Sequence, residues 1–253
     1  GKMPMPKIDI NADLGEMSIA QDAQLLAYIS SANIACGVHA GNPQYMLEIM
    51  QLCHQQGIAV GAHPSYWDRE NFGRRELHNT PEEIYQLIVY QLGAMQALAR
   101  SQQIVLKHVK PHGALYNRSA VDQQVADAIA QAVFDCNSSL VLVGLAGSQS
   151  LLSAKVKGLH CLAEGFADRR YTEKGLLVPR SKENAMIENT DEAIVQVLSM
   201  IQHGNVCCET GQNIALNVQT ICLHGDGPHA ITFATALQSS LQKKNIEITS
   251  EFA

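Results

Sequence analysis

Short apolar segments alternate along this chain with longer segments whose apolar residues recur at helical spacing. The short segments are predicted strands at residues 7–11, 32–36, 58–61, 104–109, 140–145, 160–163, 220–223 and 246–249. The longer segments are predicted helices at residues 19–30, 43–57, 81–100, 121–134, 148–157, 191–202 and 228–242. No Pro- or Ser-rich linker interrupts the alternation, which is typical of βαβ units and a parallel sheet.

The number of these units predicts the fold class. Seven or eight strand–helix units in a chain of 253 residues indicate an α/β protein, a single (β/α) barrel of about seven strands over residues 1–253. An open, doubly wound sheet is the alternative, because it is built from the same units. No GxGxxG motif or phosphate loop follows a predicted strand, which disfavours the nucleotide-binding forms of that alternative.

The carboxyl ends of the predicted strands are rich in polar side chains. In a (β/α) barrel these ends converge, and the active site lies there. Polar residues follow six of the seven strands, whereas the fifth is followed only by the small residues 146–148. The set comprises Asn11, Asp13, Glu16, His39, His63, Lys110, His112, Glu164, Asp168, Arg169, His224 and Asp226. We therefore expect one polar cluster, although single members such as Asp13 or Asp226 could instead cap a helix.

The stretch at residues 106–117, LKHVKPHGALYN, carries several ionisable side chains close together. Lys110 and His112 are two residues apart at the end of a strand, so they point to the same face. Lys110 could neutralise an anion or oxyanion, and His112 could act as a general acid or base. Glu16, Glu164, Asp13 and Asp226 complete the candidate catalytic set. The alternative is a half-exposed edge strand that carries solvated charges.

Two further groups of residues suggest ligands. Asp13, His39, His63 and His224 offer the oxygen and imidazole atoms that hold a catalytic divalent metal, although the HExxH spacing is absent. Candidates for substrate binding are Asn11, Asn117, Asp168, Arg169 and Arg74. The arginine pairs at 74–75 and 169–170 belong either to anion-binding loops over the barrel mouth or to the solvated surface.

Composition narrows the class of protein. The 18 basic and 24 acidic side chains give a net charge of −6, and no basic run could follow a nucleic-acid backbone. No apolar run approaches a membrane span, and the first seven residues lack the apolar region of a secretory signal. Seven cysteines, an odd number without a CxxC pair, favour a reducing compartment. We therefore expect a cytoplasmic protein that binds neither nucleic acid nor membrane.

Six long motifs in this sequence resemble the LamB/YcsF family, whose members are the A components of 5-oxoprolinase. They are IDINADLGE (8–16), SANIACGVHAG (31–41), GAHPSYWDRENFGRR (61–75), HVKPHGALYN (108–117), EGFADRRYTEKGLLVPR (164–180) and ICLHGDGPHA (221–230). The resemblance implies a barrel related to the polysaccharide deacetylases. It also implies hydrolytic opening of 5-oxo-L-proline to L-glutamate, with ATP as co-substrate and 5-oxoprolinase subunits B and C as partners.

The resemblance does not decide which residues would bind a metal, or which subunit carries out which step. Asp13 stands where the deacetylases have a metal-binding Asp, but their paired-His motif has no counterpart at His39, which is followed by Ala-Gly-Asn-Pro. A divalent metal therefore stays a possible cofactor. The absence of a phosphate loop suggests that ATP is activated mostly by the partner subunits. The alternatives are a stand-alone metal-dependent deacetylase or amidohydrolase, and a non-catalytic subunit that holds substrate.

Overall fold

The structure is a computed structural model that describes residues 4–225 and 229–250. The strands are β1 Lys7–Leu14, β2 Ser31–Ala35, β3 Ala59–His63, β4 His108–Val109, β5 Val141–Leu145, β6 Cys161–Phe166, β7 Asn205–Cys207, β8 Asn213–Ala215, β9 Thr220–Cys222 and β10 Glu247–Ile248. The helices are α1 Ile19–Leu25, α2 Pro43–Gln55, α3 Pro81–Ser101, α4 Gly113–Ser119, α5 Gln123–Cys136, α6 Gln149–Lys157, α7 Thr190–His203 and α8 Ala230–Lys243.

Seven parallel strands close into a barrel. The order is β1-β2-β3-β4-β5-β6-β9, and β9 returns to pair with β1 through Asp9 opposite Thr220 and Asn11 opposite Cys222. Strand β10 pairs with β1 outside this ring, and β7 and β8 form a separate antiparallel pair. The closed ring confirms the predicted (β/α) barrel and excludes the open sheet. The edge-strand interpretation of residues 104–109 is wrong, because β4 pairs with both β3 and β5.

The alternation of β1 sorts apolar from polar side chains across the barrel wall. Ile8 and Ile10 are buried in the hydrophobic core between the strands and the helices. Asn11 belongs to the opposite face and donates to Glu164 on β6, a strand that does not neighbour β1, so this bond crosses the barrel interior. Asp9 is buried on the same face and accepts from Ser31 and Thr220. The barrel is therefore filled largely by hydrogen-bonded polar side chains and walled by apolar ones.

Capping residues place the helices that follow β2 and β3. The Asn42 side chain accepts from the Tyr45 backbone N–H at 2.9 Å, and Pro43 occupies the first turn of α2. Thr80 and Glu83 form a reciprocal capping box at the start of α3. Both starts agree with the sequence prediction. No helix among residues 4–225 and 229–250 is long and apolar enough to span a membrane.

Several predicted boundaries were wrong. Strand β1 runs to Leu14 rather than to residue 11, which places Asp13 inside a strand and not at a helix cap. Strand β4 has only two residues, although the backbone of Lys107 before it also bonds to Val60 and Val141. Helix α4 and the β7–β8 pair were not predicted. The predicted start of the last helix at residue 228 lies outside the described residues.

Candidate active site

The carboxyl ends of the barrel strands surround a cavity of about 950 Å³. Among the residues that line it are ten of the sequence-predicted candidates: Asp13, Glu16, His63, Arg74, Lys110, His112, Asn117, Asp168, Arg169 and His224. Asn11, His39 and Glu164 are buried against these residues and complete the site from below or beside the cavity. Asp226 lies outside the described residues.

A buried lysine network forms the floor of the cavity; it consists of Asn11, Asp13, Lys110 and Glu164. The Nζ atom of Lys110 lies 2.8 Å from Glu164 Oε2, 3.3 Å from Asp13 Oδ1 and 3.2 Å from Asn11 Oδ1. Cys222 Sγ lies 3.5 Å from the same nitrogen. An ammonium group has three hydrogens, so Lys110 has no donor left for a substrate.

The electrostatics of this network keep Lys110 and Asp13 charged. Burial alone would lower the pKa of Lys110, but the opposite charge of Asp13 and the nearby Cys222 and Glu164 raise it well above its usual range. Burial alone would raise the pKa of Asp13, yet the charges of His63 and Lys110 hold it well below its usual range. The floor is therefore a buried ion-pair network that fixes the Asp13 carboxylate in place.

A histidine cluster lies beside this network; it consists of Glu16, His39, His63 and His112. Glu16 Oε2 lies 2.6 Å from His39 Nε2, 3.4 Å from His112 Nδ1 and 3.9 Å from His63 Nε2. The His39 and His112 rings stack with their centroids 3.7 Å apart, and His63 meets both rings edge-on. One potential ligand atom from each of the four residues lies within 4.8 Å of the others. The geometry therefore fits a metal ion.

Backbone carbonyls orient two of the rings. His63 Nδ1 lies 2.6 Å from the Lys110 carbonyl oxygen, and His112 Nε2 lies 2.7 Å from the Phe72 carbonyl oxygen. A carbonyl only accepts, so each of these ring nitrogens carries the hydrogen. The other nitrogens, His63 Nε2 and His112 Nδ1, lie 3.0 Å apart and face the cluster.

The cluster mixes charged and neutral groups. Burial, assisted by the charge of His63, lowers the pKa of His39 to about 2 and that of His112 to about 3. Burial would also lower the pKa of His63, but the neighbouring Asp13 carboxylate raises it above its ordinary value. Burial and then the charge of Asp13 raise the pKa of Glu16. The stacked pair His39–His112 is therefore neutral near neutral pH.

The loop between β3 and α3 places the Phe72 carbonyl. Phe72 and Gly73 both have positive φ angles, +57° and +68°. A Cβ atom on Gly73 would collide with Ser65 Oγ and lie 2.9 Å from His112 Cδ2. The Phe72 ring meets His39 and His112 edge-on at 5.1 and 5.2 Å. Sequence reasoning missed both residues, although the glycine in ENFGRR was a signal for such a turn.

The opposite side of the mouth is cationic. His224 Nδ1 lies 3.0 Å from Asp168 Oδ2, and Arg169 donates to the Val178 carbonyl oxygen. Burial opposes the charge of His224, but Cys222 and Asp168 raise its pKa well above its usual range. Arg180 also lines this side, a residue absent from the sequence-predicted set. The arrangement suits a small anion.

The geometry groups the predicted metal ligands differently from the sequence prediction. His39 and His63 lie in the histidine cluster as expected, but Glu16 and His112 complete it. His224 is not part of this group and pairs with Asp168 instead, so the geometry does not bring it together with the other predicted ligands. Asp13 lies at the boundary, because its Oδ2 is 3.4 Å from His63 Nε2 while its Oδ1 faces Lys110.

Known proteins resemble this chain in sequence and in structure. The crystal structure of the lactam utilization protein from Thermus thermophilus has a TM-score of 0.90 and 39% identity, over 96% of this chain and 99% of that one. A structure described as T48 deacetylase with substrate has a TM-score of 0.50 and 11% identity, over 97% and 88% of the two chains. At that identity the second likeness concerns the barrel alone. Residues 8–252 match the LamB/YcsF family, and the chain belongs to that family.

Proposed function

We propose that this chain is the hydrolytic A component of an ATP-dependent 5-oxoprolinase, which opens 5-oxo-L-proline to L-glutamate together with subunits B and C. The observation that carries the proposal is the histidine cluster at the mouth of the barrel, next to a cationic side and above a buried lysine network. Membership in the LamB/YcsF family and 39% identity to a lactam utilization protein support the choice of a lactam as substrate.

The chemistry of the lactam explains why ATP and partners are needed. An amide carbon is a poor electrophile, and the five-membered ring is stable. Transfer of the ATP γ-phosphoryl group to the amide oxygen activates that carbon and releases ADP. Water then adds at the carbon, the C–N bond breaks as its nitrogen takes a proton, and a second water releases phosphate and L-glutamate. We assign phosphoryl transfer to the partners and water addition to this chain, which has no phosphate loop in its sequence.

The two sides of the mouth suit the two ends of this substrate. Arg169, Arg180 and the charged His224 line one side and can hold the substrate carboxylate. The histidine cluster lies on the other side, where its carboxylate and imidazole nitrogens can activate a water molecule. Lys110 then acts as a positioning residue, since its three hydrogens are directed to Asn11, Asp13 and Glu164.

Reconstitution tests the proposal. We expect the isolated chain to form little L-glutamate from 5-oxo-L-proline and ATP, and the addition of subunits B and C to restore ATP-linked turnover. Full turnover by the isolated chain would contradict the division of labour. Full turnover by B and C without this chain would contradict the role itself. Release of acetate from acetylated sugars by the isolated chain would favour the deacetylase alternative.

A further inference from the structure

We infer that the histidine cluster is a binding site for a single divalent transition-metal ion, held by Glu16, His39, His63 and His112. The inference deepens the proposed function, because it names what the cluster holds while it activates water. It does not depend on the substrate, since it follows from the direction in which each side chain presents its lone pairs.

The first step concerns the hydrogens on two rings. The Lys110 carbonyl fixes the hydrogen of His63 on Nδ1, and the Phe72 carbonyl fixes that of His112 on Nε2. In the neutral tautomers, His63 Nε2 and His112 Nδ1 therefore both present lone pairs, and they do so across 3.0 Å. Two acceptors at this distance repel unless a positive group lies with them. The cluster is thus built to hold either a proton or a metal ion.

The second step concerns the spacing of the ligand atoms. Zinc–nitrogen bonds of about 2.0–2.1 Å place the ligand atoms of a tetrahedral ion about 3.3–3.4 Å apart. Here His63 Nε2 and His112 Nδ1 are 3.0 Å apart, and Glu16 Oε2 lies 3.4 and 3.9 Å from His112 Nδ1 and His63 Nε2. These three separations bracket the expected value, whereas the 2.6 Å between His39 Nε2 and Glu16 Oε2 is a hydrogen-bond distance that would lengthen when an ion binds. A proton shared by the two ring nitrogens would not require the Glu16 carboxylate close to both of them, whereas a metal ion would.

The third step concerns the groups behind the ligands. Metal-binding histidines usually donate their second ring N–H to a carbonyl or carboxylate, which is the arrangement of His63 and His112. Within the described part of the chain, His39 Nδ1 is buried without a hydrogen-bond partner. Its Nε2 lies 2.6 Å from Glu16 Oε2, so these two atoms share a hydrogen in the ion-free protein, and an ion would take the place of that hydrogen.

The donor set indicates the class of ion. Three imidazoles and one carboxylate suit Zn²⁺, Co²⁺ or a similar transition metal better than Mg²⁺ or Ca²⁺, which prefer oxygen ligands. No cysteine belongs to the group of ligand atoms found among the described residues. With an open fifth position, such an ion would supply Lewis acidity and would lower the pKa of a bound water. The Lys110 ammonium group already lies between Asp13 and Glu164, so a metal ion bound by that pair would meet its positive charge.

Metal binding by the whole chain tests the inference without any activity assay. Protein stripped with a chelator is titrated with Zn²⁺ by calorimetry and with Co²⁺ by visible absorption, and bound metal is counted by mass spectrometry. We expect one ion per chain and Co²⁺ d–d bands without a sulfur charge-transfer band. His63→Ala and His112→Ala should each weaken binding by about 100-fold or more. Glu16→Gln, which keeps the side-chain shape, should also weaken binding.

Two control variants make the test specific. His224→Ala removes a histidine from the same mouth, and His160→Ala removes an exposed one; both should bind Zn²⁺ like the wild type. Circular dichroism establishes that each variant is folded before titration. If the wild-type protein bound Zn²⁺ no more tightly than His112→Ala does, the proposed site would be overturned. Loss of binding in His224→Ala but not in Glu16→Gln would overturn this ligand set. Because these readouts do not involve 5-oxoproline, failure here leaves the reconstitution experiment unaffected.

Discussion

The lysine network and the histidine cluster lie side by side at one barrel mouth, yet they differ in how their polar atoms are satisfied. Each hydrogen of the Lys110 ammonium group points to an oxygen of Asn11, Asp13 or Glu164. In the cluster, by contrast, backbone carbonyls accept the hydrogens of His63 Nδ1 and His112 Nε2, so the neutral rings would place two lone pairs 3.0 Å apart. A buried cation whose donors all have acceptors stabilises a fold, whereas opposed lone pairs require a proton or a ligand between them. We therefore assign stability to the first and chemistry to the second.

Removal of the central charge should produce the largest loss of stability. Lys110→Met leaves the buried Glu164 and the partly buried Asp13 without their counter-ion, and breaking a buried pair costs about 3–5 kcal/mol. Urea unfolding monitored by circular dichroism measures this change in the free energy of unfolding. Lys107→Met is the matched control, a half-buried lysine on the same segment, and it should cost little. Equal losses in the two variants would contradict the assignment.

A change in the loop should disturb the cluster without touching its side chains. Gly73→Ala introduces a methyl group against Ser65 and His112, which should displace the Phe72 carbonyl and lower turnover by the assembled complex. Overpacking should destabilise the variant by about 1–3 kcal/mol. The positive φ angle of the new alanine should cost about 1–2 kcal/mol more.

Gly57→Ala is the control for that backbone strain. Its φ angle is +72°, close to the +68° of Gly73, but nothing lies within 4 Å of the added methyl group. We expect a similar strain cost and unchanged turnover. If Gly73→Ala and Gly57→Ala had the same kcat and the same free energy of unfolding, the loop would not orient the cluster.

The cationic side should show the smallest effect, a several-fold change in KM. Asp168, after Cys222, helps to raise the pKa of His224, so Asp168→Asn should lower that pKa. KM for the anionic substrate should then begin to rise at a lower pH in the variant than in the wild type. NMR titration of His224 and steady-state kinetics check this, with the exposed Asp127→Asn as control.

The same pair contributes to stability with a definite dependence on pH. The raised pKa of His224 means that its stabilisation is present in acid and lost as pH rises through that pKa. The lowered pKa of Asp168 means that its stabilisation is present near neutral pH and lost as pH falls through that pKa. Any advantage of wild type over Asp168→Asn in the free energy of unfolding should therefore be greatest between the two values.

The comparison also explains what the sequence could and could not reveal. Strand–helix alternation predicted the barrel, and the rule that strand ends converge predicted that His39, His63 and His112 would meet. The direction of each ring could not be predicted, because it depends on the Lys110 and Phe72 carbonyls, and the latter sits in a loop with left-handed backbone. That is why the sequence analysis grouped His224 with His39 and His63, from which the structure separates it. The β7 and β8 strands have three residues each, which is too few to show an alternation of apolar and polar positions.

The most direct test of the account is the turnover number of the His112→Ala variant in the complete complex. His112 belongs to the cluster and not to the lysine network, so its removal should lower kcat for glutamate formation by about 10²–10⁴-fold while the melting temperature of the isolated chain changes little. The wild-type chain, assembled with the same partners and assayed beside it, sets the reference for both values. A variant that melts like wild type and also turns over like wild type would contradict the central claim.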